Sequence, residues 1–134
     1  MYFCIVFYMI LKSKAIVLRS LKFGDSSLII DMFTELEGRI SFITRIPKTA
    51  KGKIKKQYFQ PLTLLDLEFD YRPRTSLQRI KEVRILRPYG SIPFDPVKSA
   101  ILLFLSEFLY YVTRGEQQNA HLYNYICASM EWLD

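Results

Sequence analysis

Two patterns of apolar residues divide this chain, and the switch between them limits the folds it can adopt. Between residues 12 and 88, apolar and polar residues alternate in short stretches separated by turn residues. After residue 88, apolar residues recur every three or four positions. Alternation is typical of half-buried strands, and the longer spacing is typical of helices. The order predicts a β domain followed by a helical segment.

Five stretches between residues 12 and 88 have the composition of strands. In the third, Arg39, Ser41 and Arg45 alternate with apolar residues, as a half-buried strand requires. Short antiparallel strands with a longer insertion between the third and fourth fit an OB-fold barrel, and an SH3-like barrel is the physical alternative. The predicted strands are Lys14–Arg19, Ser27–Thr34, Arg39–Ile46, Leu62–Phe69 and Leu77–Leu86, the last with a bulge near Lys81-Glu82.

The helical segment has clear start and stop signals. Asp95 and Pro96 predict a helix start, and Gly115 predicts its stop after about Arg114. A second helix is expected from near Asn119. The predicted shared faces are Val97, Ile101, Leu105, Phe108 and Val112 in the first helix, and Leu122, Tyr125, Ile126, Ser129 and Leu133 in the second. Two helices cannot cover this much apolar surface, so we expect a truncated helical domain.

The predicted class is therefore α+β: a five-stranded antiparallel OB-fold barrel over residues 12–88, followed over residues 89–134 by the start of an α-helical domain. Residues 1–11 form an apolar extension that is shorter than the roughly 20 residues of a membrane span. Residues 1–8 are interpreted as a mis-assigned start, with an extra strand segment as the alternative. Cys4 and Cys127 form no CxxC pair, so no zinc site or disulfide framework is expected, and the cytoplasm is the expected compartment.

Charge is distributed unevenly along the chain. Residues 1–88 contain 17 Lys and Arg against 8 Asp and Glu, a net charge of +9, whereas residues 89–134 carry a net charge of −3. This asymmetry indicates that a polyanion contacts the β domain. Lysines are densest at residues 48–56.

Nucleic-acid binding is the function that these cations favour. On an OB-fold, ligands cross strands 2 and 3 and the loops that join strands 1–2 and 4–5. Cations there would neutralise phosphates, and exposed aromatic rings would stack on bases. The predicted DNA-binding residues are Lys22, Phe23, Arg39, Arg45, Lys48, Lys51, Lys53, Lys55, Lys56, Tyr71, Arg72 and Arg74. The alternatives are a solvated lysine loop with Phe23 and Tyr71 capping the barrel, a basic face that docks an acidic partner peptide, and an RNA-binding OB-fold.

Catalysis has little support. The lone His121 lies in the first turn of a helix, where a structural or solvated histidine is far more common than a catalytic one. Asp66, Glu68 and Asp70 alternate and could bind a divalent cation, but the solvated face of a strand is the simpler interpretation. We predict no enzyme activity, no cofactor and no metal.

The chain also resembles a known family, the recombination mediator RecO, in its Bacteroidetes form. No single motif is diagnostic, but their order and spacing together are specific. The residues that carry the resemblance are Lys14–Arg19, Gly24–Ile29, Phe33-Thr34-Glu35, Gly38-Arg39, Phe59–Leu65, Leu77–Glu82, Pro88, Phe94-Asp95-Pro96 and Phe108–Tyr111.

The resemblance implies an OB-fold followed by a helical domain, and binding of single- and double-stranded DNA without strong sequence preference. It implies strand annealing and help in loading the recombinase RecA on coated single-stranded DNA, with RecR and single-strand DNA-binding protein as partners near the nucleoid. Members of this family continue well past this length, and many carry a cysteine-rich zinc site there. The functions of that part are not expected of this chain.

Overall fold

The computed structural model describes residues 9–46 and 54–134. Short 3-10 turns lie at Lys56–Phe59 and Ile92–Phe94. The strands of the described part are β1 (Met9–Phe23), β2 (Ser27–Thr34), β3 (Gly38–Arg45), β4 (Leu64–Tyr71) and β5 (Leu77–Arg87), and its helices are α1 (Pro96–Val112) and α2 (Ala120–Leu133).

The strands close into a barrel in the order β1-β2-β3-β5-β4, which is the predicted OB-fold. One part of the prediction was wrong, because β3 and β5 pair in parallel and the barrel is therefore not antiparallel throughout. A closed ring with an odd number of strands cannot alternate direction at every step, so one parallel pair is unavoidable. The predicted bulge in β5 is confirmed: Glu82 pairs with Glu68 and Ile80 pairs with Phe69, so Lys81 has no partner.

Strand β1 is longer than predicted and is buried on both faces in its middle. Its first half pairs with β4 and its second half with β2. Ala15 and Val17 point into the barrel, whereas Ile16 and Leu18 pack outside it in a second apolar cluster that includes residues of α1 and α2. A bulge between Val17 and Arg19 interrupts the ladder. The buried Ser106 hydroxyl of α1 donates a 2.6 Å hydrogen bond to the Leu18 carbonyl there, which ties the helix to the barrel.

The helix termini agree with the predicted caps. The Asp95 carboxylate accepts from the backbone N–H of Val97 at 2.9 Å and of Lys98 at 3.2 Å. The Asn119 side chain accepts from Leu122 N–H at 3.0 Å. The last helical residue of α1 is Val112, just short of the expected end.

The predicted face of α1 was largely wrong, whereas that of α2 was partly right. In α1, Val97 and Phe108 are exposed, and the buried residues are Leu102 and Ser106. In α2, the predicted Leu122, Ile126 and Leu133 do pack in the apolar cluster, but Tyr125 is exposed. Tyr123 and Met130, which were not predicted, are buried there as well. Because α1 is apolar nearly all round, its sequence does not show which side is buried. The side that is buried is the one that packs on the bulged strand β1. None of the described helices is long and apolar enough to cross a bilayer.

Candidate nucleic-acid interface

The outer surface of the sheet near the β1–β2 turn mixes apolar and basic side chains that are exposed or half-buried. Residues paired across a sheet share a face. One row across the sheet consists of Phe23 on β1, Ser27 on β2 and Arg45 on β3. The next row consists of Leu21 on β1, Ile29 on β2, Ile43 on β3 and Arg79 on β5. We call this surface the β2–β3 face, defined by Leu21, Phe23, Ser27, Ile29, Ile43, Arg45 and Arg79. Phe23 is 56% exposed and Leu21 48% exposed, although both are large hydrophobic side chains.

Lysines border the β2–β3 face on the side of the β1–β2 turn. Lys22 and Lys56 line one depression together with Asp25. Lys55 and Lys56 are exposed at the 3-10 turn that leads towards β4. Within residues 9–46 and 54–134, none of Lys22, Arg45, Lys55 and Lys56 has a carboxylate within 4.0 Å. The other predicted lysines, Lys48, Lys51 and Lys53, lie outside the described residues.

Arg39 occupies a different environment from the other predicted cations. Its side chain is only 11% exposed and lies 4.0 Å from Asp31. Its guanidinium donates to the Tyr110 carbonyl at 2.7 Å and to Thr113 Oγ1 at 3.2 Å, and it lies over the Tyr110 ring at 4.5 Å. These contacts join β3 to α1. The Arg39 guanidinium is thus occupied by contacts within the protein.

The β4–β5 loop flanks the other end of β3. The buried Gln78 amide holds it by donating to the carbonyls of Arg72 (2.9 Å) and Thr75 (3.1 Å) and accepting from Arg72 N–H (2.8 Å). The Arg72 and Arg74 side chains are exposed. Tyr71 instead packs edge-to-face on Phe69 at 6.1 Å, and its burial, with the nearby charge of Glu37, raises its pKa. Tyr71 thus closes the barrel end, and the two arginines are the accessible groups.

A second outer surface of the barrel carries as many acidic as basic side chains. We call it the compensated face, defined by Lys12, Lys14, Asp66, Glu68, Glu82 and Arg84. Lys12 pairs with Glu68, and Asp66 pairs with both Lys14 and Arg84. The Arg84 guanidinium donates to Asp66 at 2.9 Å. Asp66 is thus partnered by arginine, which supports a solvated strand face over the metal-site interpretation.

Five members of the β2–β3 face were not among the predicted binding residues: Leu21, Ser27, Ile29, Ile43 and Arg79. Leu21, Ile29 and Ile43 are apolar, and an apolar side chain gives no local sign that it belongs to a ligand-binding surface. Arg79 becomes part of this surface only because β5 pairs in parallel with β3, and it also lies opposite Asp70 on β4. A signal existed in β1, where Leu21 and Phe23 continue an alternating pattern beyond the predicted strand end.

Comparison with known proteins gives a consistent set of relatives. The family described as Recombination protein O N terminal matches residues 9–89. A DNA repair protein RecO from Bacteroides fragilis is 51% identical over 126 residues, which are 94% of this chain and 52% of the relative. Proteins of the same name from Phocaeicola vulgatus and Flavobacterium psychrophilum are 43% and 37% identical, over 94% and 92% of this chain and 52% of each relative. The chain spans about half the length of these curated relatives.

Proposed function

Because the chain belongs to the recombination protein O family, whose N-terminal domain matches residues 9–89, we propose that it is the DNA-binding end of a recombination mediator. In this role it binds single- and double-stranded DNA, anneals complementary strands, and helps the recombinase to load on coated single strands. RecR and single-strand DNA-binding protein are the proposed partners of the full-length protein, in the cytoplasm near the nucleoid.

The observation that supports this proposal most strongly is the chemistry of the β2–β3 face. Exposed Phe23 and Leu21 share this face with Arg45, and Lys22 and Lys56 line a depression at its border. None of these three cations has a carboxylate within 4.0 Å in the described part of the chain. Cations without an ion-pair partner near an exposed aromatic ring fit a ligand that is both anionic and aromatic. A nucleic-acid strand has both properties in every nucleotide.

The proposed mechanism divides the contacts by chemistry. Lys22, Arg45, Arg79 and the lysines of residues 48–56 bind phosphates, and bases stack on Phe23. Such contacts are independent of sequence because every nucleotide has a phosphate and a ring face. Cations that neutralise two strands at once reduce their repulsion and allow complementary strands to pair.

Titration of fluorescent single- and double-stranded DNA at several salt concentrations tests the proposal. If about five phosphates are neutralised, log K falls with log salt with a slope of roughly −3.5 for single strands and −4.5 for duplex. A flat salt dependence would contradict phosphate binding.

The triple variant Lys22→Glu, Arg45→Glu, Arg79→Glu should lose most of the affinity. The matched control, Lys12→Glu, Lys14→Glu, Arg84→Glu on the compensated face, removes the same charge and should lose much less.

The same variants separate DNA binding from docking of an acidic peptide. Reversal of Lys48, Lys51, Lys53, Lys55 and Lys56 together should weaken DNA binding to all sequences alike. If wild-type protein binds no DNA but retains a partner protein after nuclease treatment, and the reversal abolishes that capture, the basic surface docks a peptide. Competition of RNA against single-stranded DNA distinguishes an RNA-binding module.

A further inference from the structure

The β2–β3 face continues along β1 towards helix α1. Phe23, Leu21 and Arg19 point to the same side of β1, two residues apart, which is about 6.6 to 6.8 Å per step. Arg19 pairs across the sheet with Asp31, but Asp31 is occupied by Ser41 and Arg39. In the described part of the chain, no carboxylate lies within 4.0 Å of the Arg19 guanidinium. Arg19 therefore extends the stripe with one more cation that has no ion-pair partner.

Helix α1 forms a wall at the end of this stripe. The Arg19 guanidinium lies 4.8 Å from the centre of the Tyr110 ring, a cation–π contact that orients the side chain. Between β1 and α1 lies a groove of about 380 Å³, lined by Arg19 and Ser20 on the barrel side and by Glu107 and Tyr111 on the helix side. This volume is at the small end of ligand sites, so it suits one nucleotide unit and not several.

The helix side of the groove presents an accessible aromatic ring. Tyr111 is 56% exposed and packs edge-to-face on Tyr110 at 5.1 Å, which fixes the ring without covering it. Arg114 lies 5.6 Å from the Tyr111 ring and adds a second cation at this end. Glu107, on the helix wall, disfavours a phosphate on that side. The charges thus orient a nucleotide with its phosphate towards the barrel and its base towards the helix.

We propose that this junction groove is a single-nucleotide subsite for single-stranded DNA, with a backbone phosphate on Arg19 and a base stacked on Tyr111. The subsite rests on the proposed function, because it extends the path of a strand that first crosses the β2–β3 face. Helix α1 would then contribute directly to DNA binding in addition to supporting the barrel.

Oligothymidylates of graded length, titrated by fluorescence anisotropy with the whole chain, test this subsite. Short oligonucleotides that fill only the β2–β3 face should bind Tyr111→Ala as they bind wild type. Longer ones that reach the groove should bind Tyr111→Ala roughly tenfold more weakly, as expected for loss of one stacked base. Tyr125→Ala, which removes an exposed tyrosine from α2, is the matched control and should behave as wild type at every length.

The phosphate contact has its own measurement. Arg19→Gln should make the salt slope shallower by about 0.7 for the longer oligonucleotides only, because one fewer counterion is released. Arg19→Lys should restore the slope, which separates charge from a packing effect on Tyr110. Glu107→Gln should tighten binding of the longer strands.

The outcomes separate the subsite from the proposed function. If wild type binds DNA with the expected salt dependence but Tyr111→Ala and Arg19→Gln match it at all lengths, the groove is not used and only the subsite is overturned. If wild type binds no oligonucleotide at any length, both proposals fall. A loss of affinity that is equal at all lengths, with a lowered melting temperature, would show that the substitutions only loosen the helix and would also overturn the subsite.

Discussion

On the compensated face, every basic residue has an acidic cross-strand neighbour. On the β2–β3 face, Arg45 lies opposite Ser27, and Arg79 lies opposite Ile43 on β3 and Asp70 on β4. Arg84 donates a 2.9 Å hydrogen bond to Asp66 on the first surface. On the second, the large exposed side chains include Phe23 and Leu21. The same barrel therefore builds one surface whose charges largely cancel and another on which Arg45 has no acidic cross-strand neighbour.

This difference shows why a net charge does not locate a binding surface. The +9 of residues 1–88 counts Lys12, Lys14 and Arg84 in the same way as Arg45. Only the pairing register shows which cations have acidic neighbours, and isolated exposed ion pairs contribute little to stability. Field strength at a surface depends on the uncompensated charges, so the β2–β3 face is the better candidate for steering a polyanion.

The largest expected effect is on the stability of the barrel that carries both faces, and it falls on Gly38, the first residue of β3. Its φ is +76°, and an added Cβ would lie 2.5 Å from the Gln117 carbonyl carbon in the α1–α2 loop. The neighbouring Arg39 N–H donates to the Glu116 carbonyl at 3.0 Å, so the loop cannot move away without losing this bond. Gly38→Ala should lower the free energy of unfolding by about 3 to 5 kcal/mol, measured by urea denaturation.

A second glycine supplies the control for this substitution. Gly24 has a similar φ of +68°, but an added Cβ there meets no heavy atom within 4 Å. Gly24→Ala should therefore cost only the left-handed conformation, about 1 to 2 kcal/mol. Equal costs at the two positions would mean that the close approach of the loop to β3 contributes nothing.

The next effect is on binding and falls on Phe23. Phe23→Ala should weaken single-stranded DNA binding by about 1 to 3 kcal/mol for all sequences alike, because stacking needs only a ring face. Since the ring is 56% exposed, little stability should be lost. Phe94→Ala removes an 83% exposed ring from the linker before α1 and should leave affinity unchanged. If both substitutions weaken binding equally, the loss does not come from a base stacked on Phe23.

The sequence was sufficient for the fold class, the family and the helix caps, because these depend on local signals. Alternation in Arg39–Ile46 indicated a half-buried strand, and Asp95 with Pro96 indicated a helix start. The family predicted from the ordered motifs is confirmed by the match over residues 9–89. The uneven alternation around Lys81 correctly indicated a bulge.

Features that depend on pairing between distant strands were not predictable in this way. The parallel register of β3 and β5 brings Arg79 beside Ile43, and no local pattern encodes that. Arg39 has the same sequence signature as Arg45, yet Tyr110 and Thr113, more than 70 positions away, take up its donors. The buried side of α1 was also missed, because Ser106 is polar and bonds to a carbonyl that only the β1 bulge exposes.

A smaller effect compares two arginines, one from each face. Arg45→Ala should lower DNA affinity a few-fold and make the salt slope for single strands shallower by about 0.7, because one phosphate contact is lost. Arg84→Ala removes the same side chain from the compensated face, where Asp66 already partners it. That variant should keep the wild-type slope. A shallower slope in Arg84→Ala but not in Arg45→Ala would reverse our assignment of the two faces.

The smallest expected effect is on the pH dependence of stability, and it comes from the Asp134 carboxylate, which backbone N–H groups stabilise. The Asp134 carboxylate accepts from the N–H groups of Gly90 (3.0 Å), Ser91 (2.9 Å) and Ile92 (3.0 Å), and these bonds lower its pKa to about 2. A depressed folded pKa stabilises the protein above the unfolded value of about 4, and this stabilisation is lost as the pH falls towards 2. The urea midpoint of wild type should exceed that of Asp134→Asn at pH 5 to 7, and the difference should shrink steadily below pH 4.

The control is Glu131→Gln, which breaks the exposed pair with Arg87 and should change the midpoint little at neutral pH. A wild-type advantage over Asp134→Asn that persists unchanged at pH 2.5 would mean that the negative charge is not what the backbone groups stabilise.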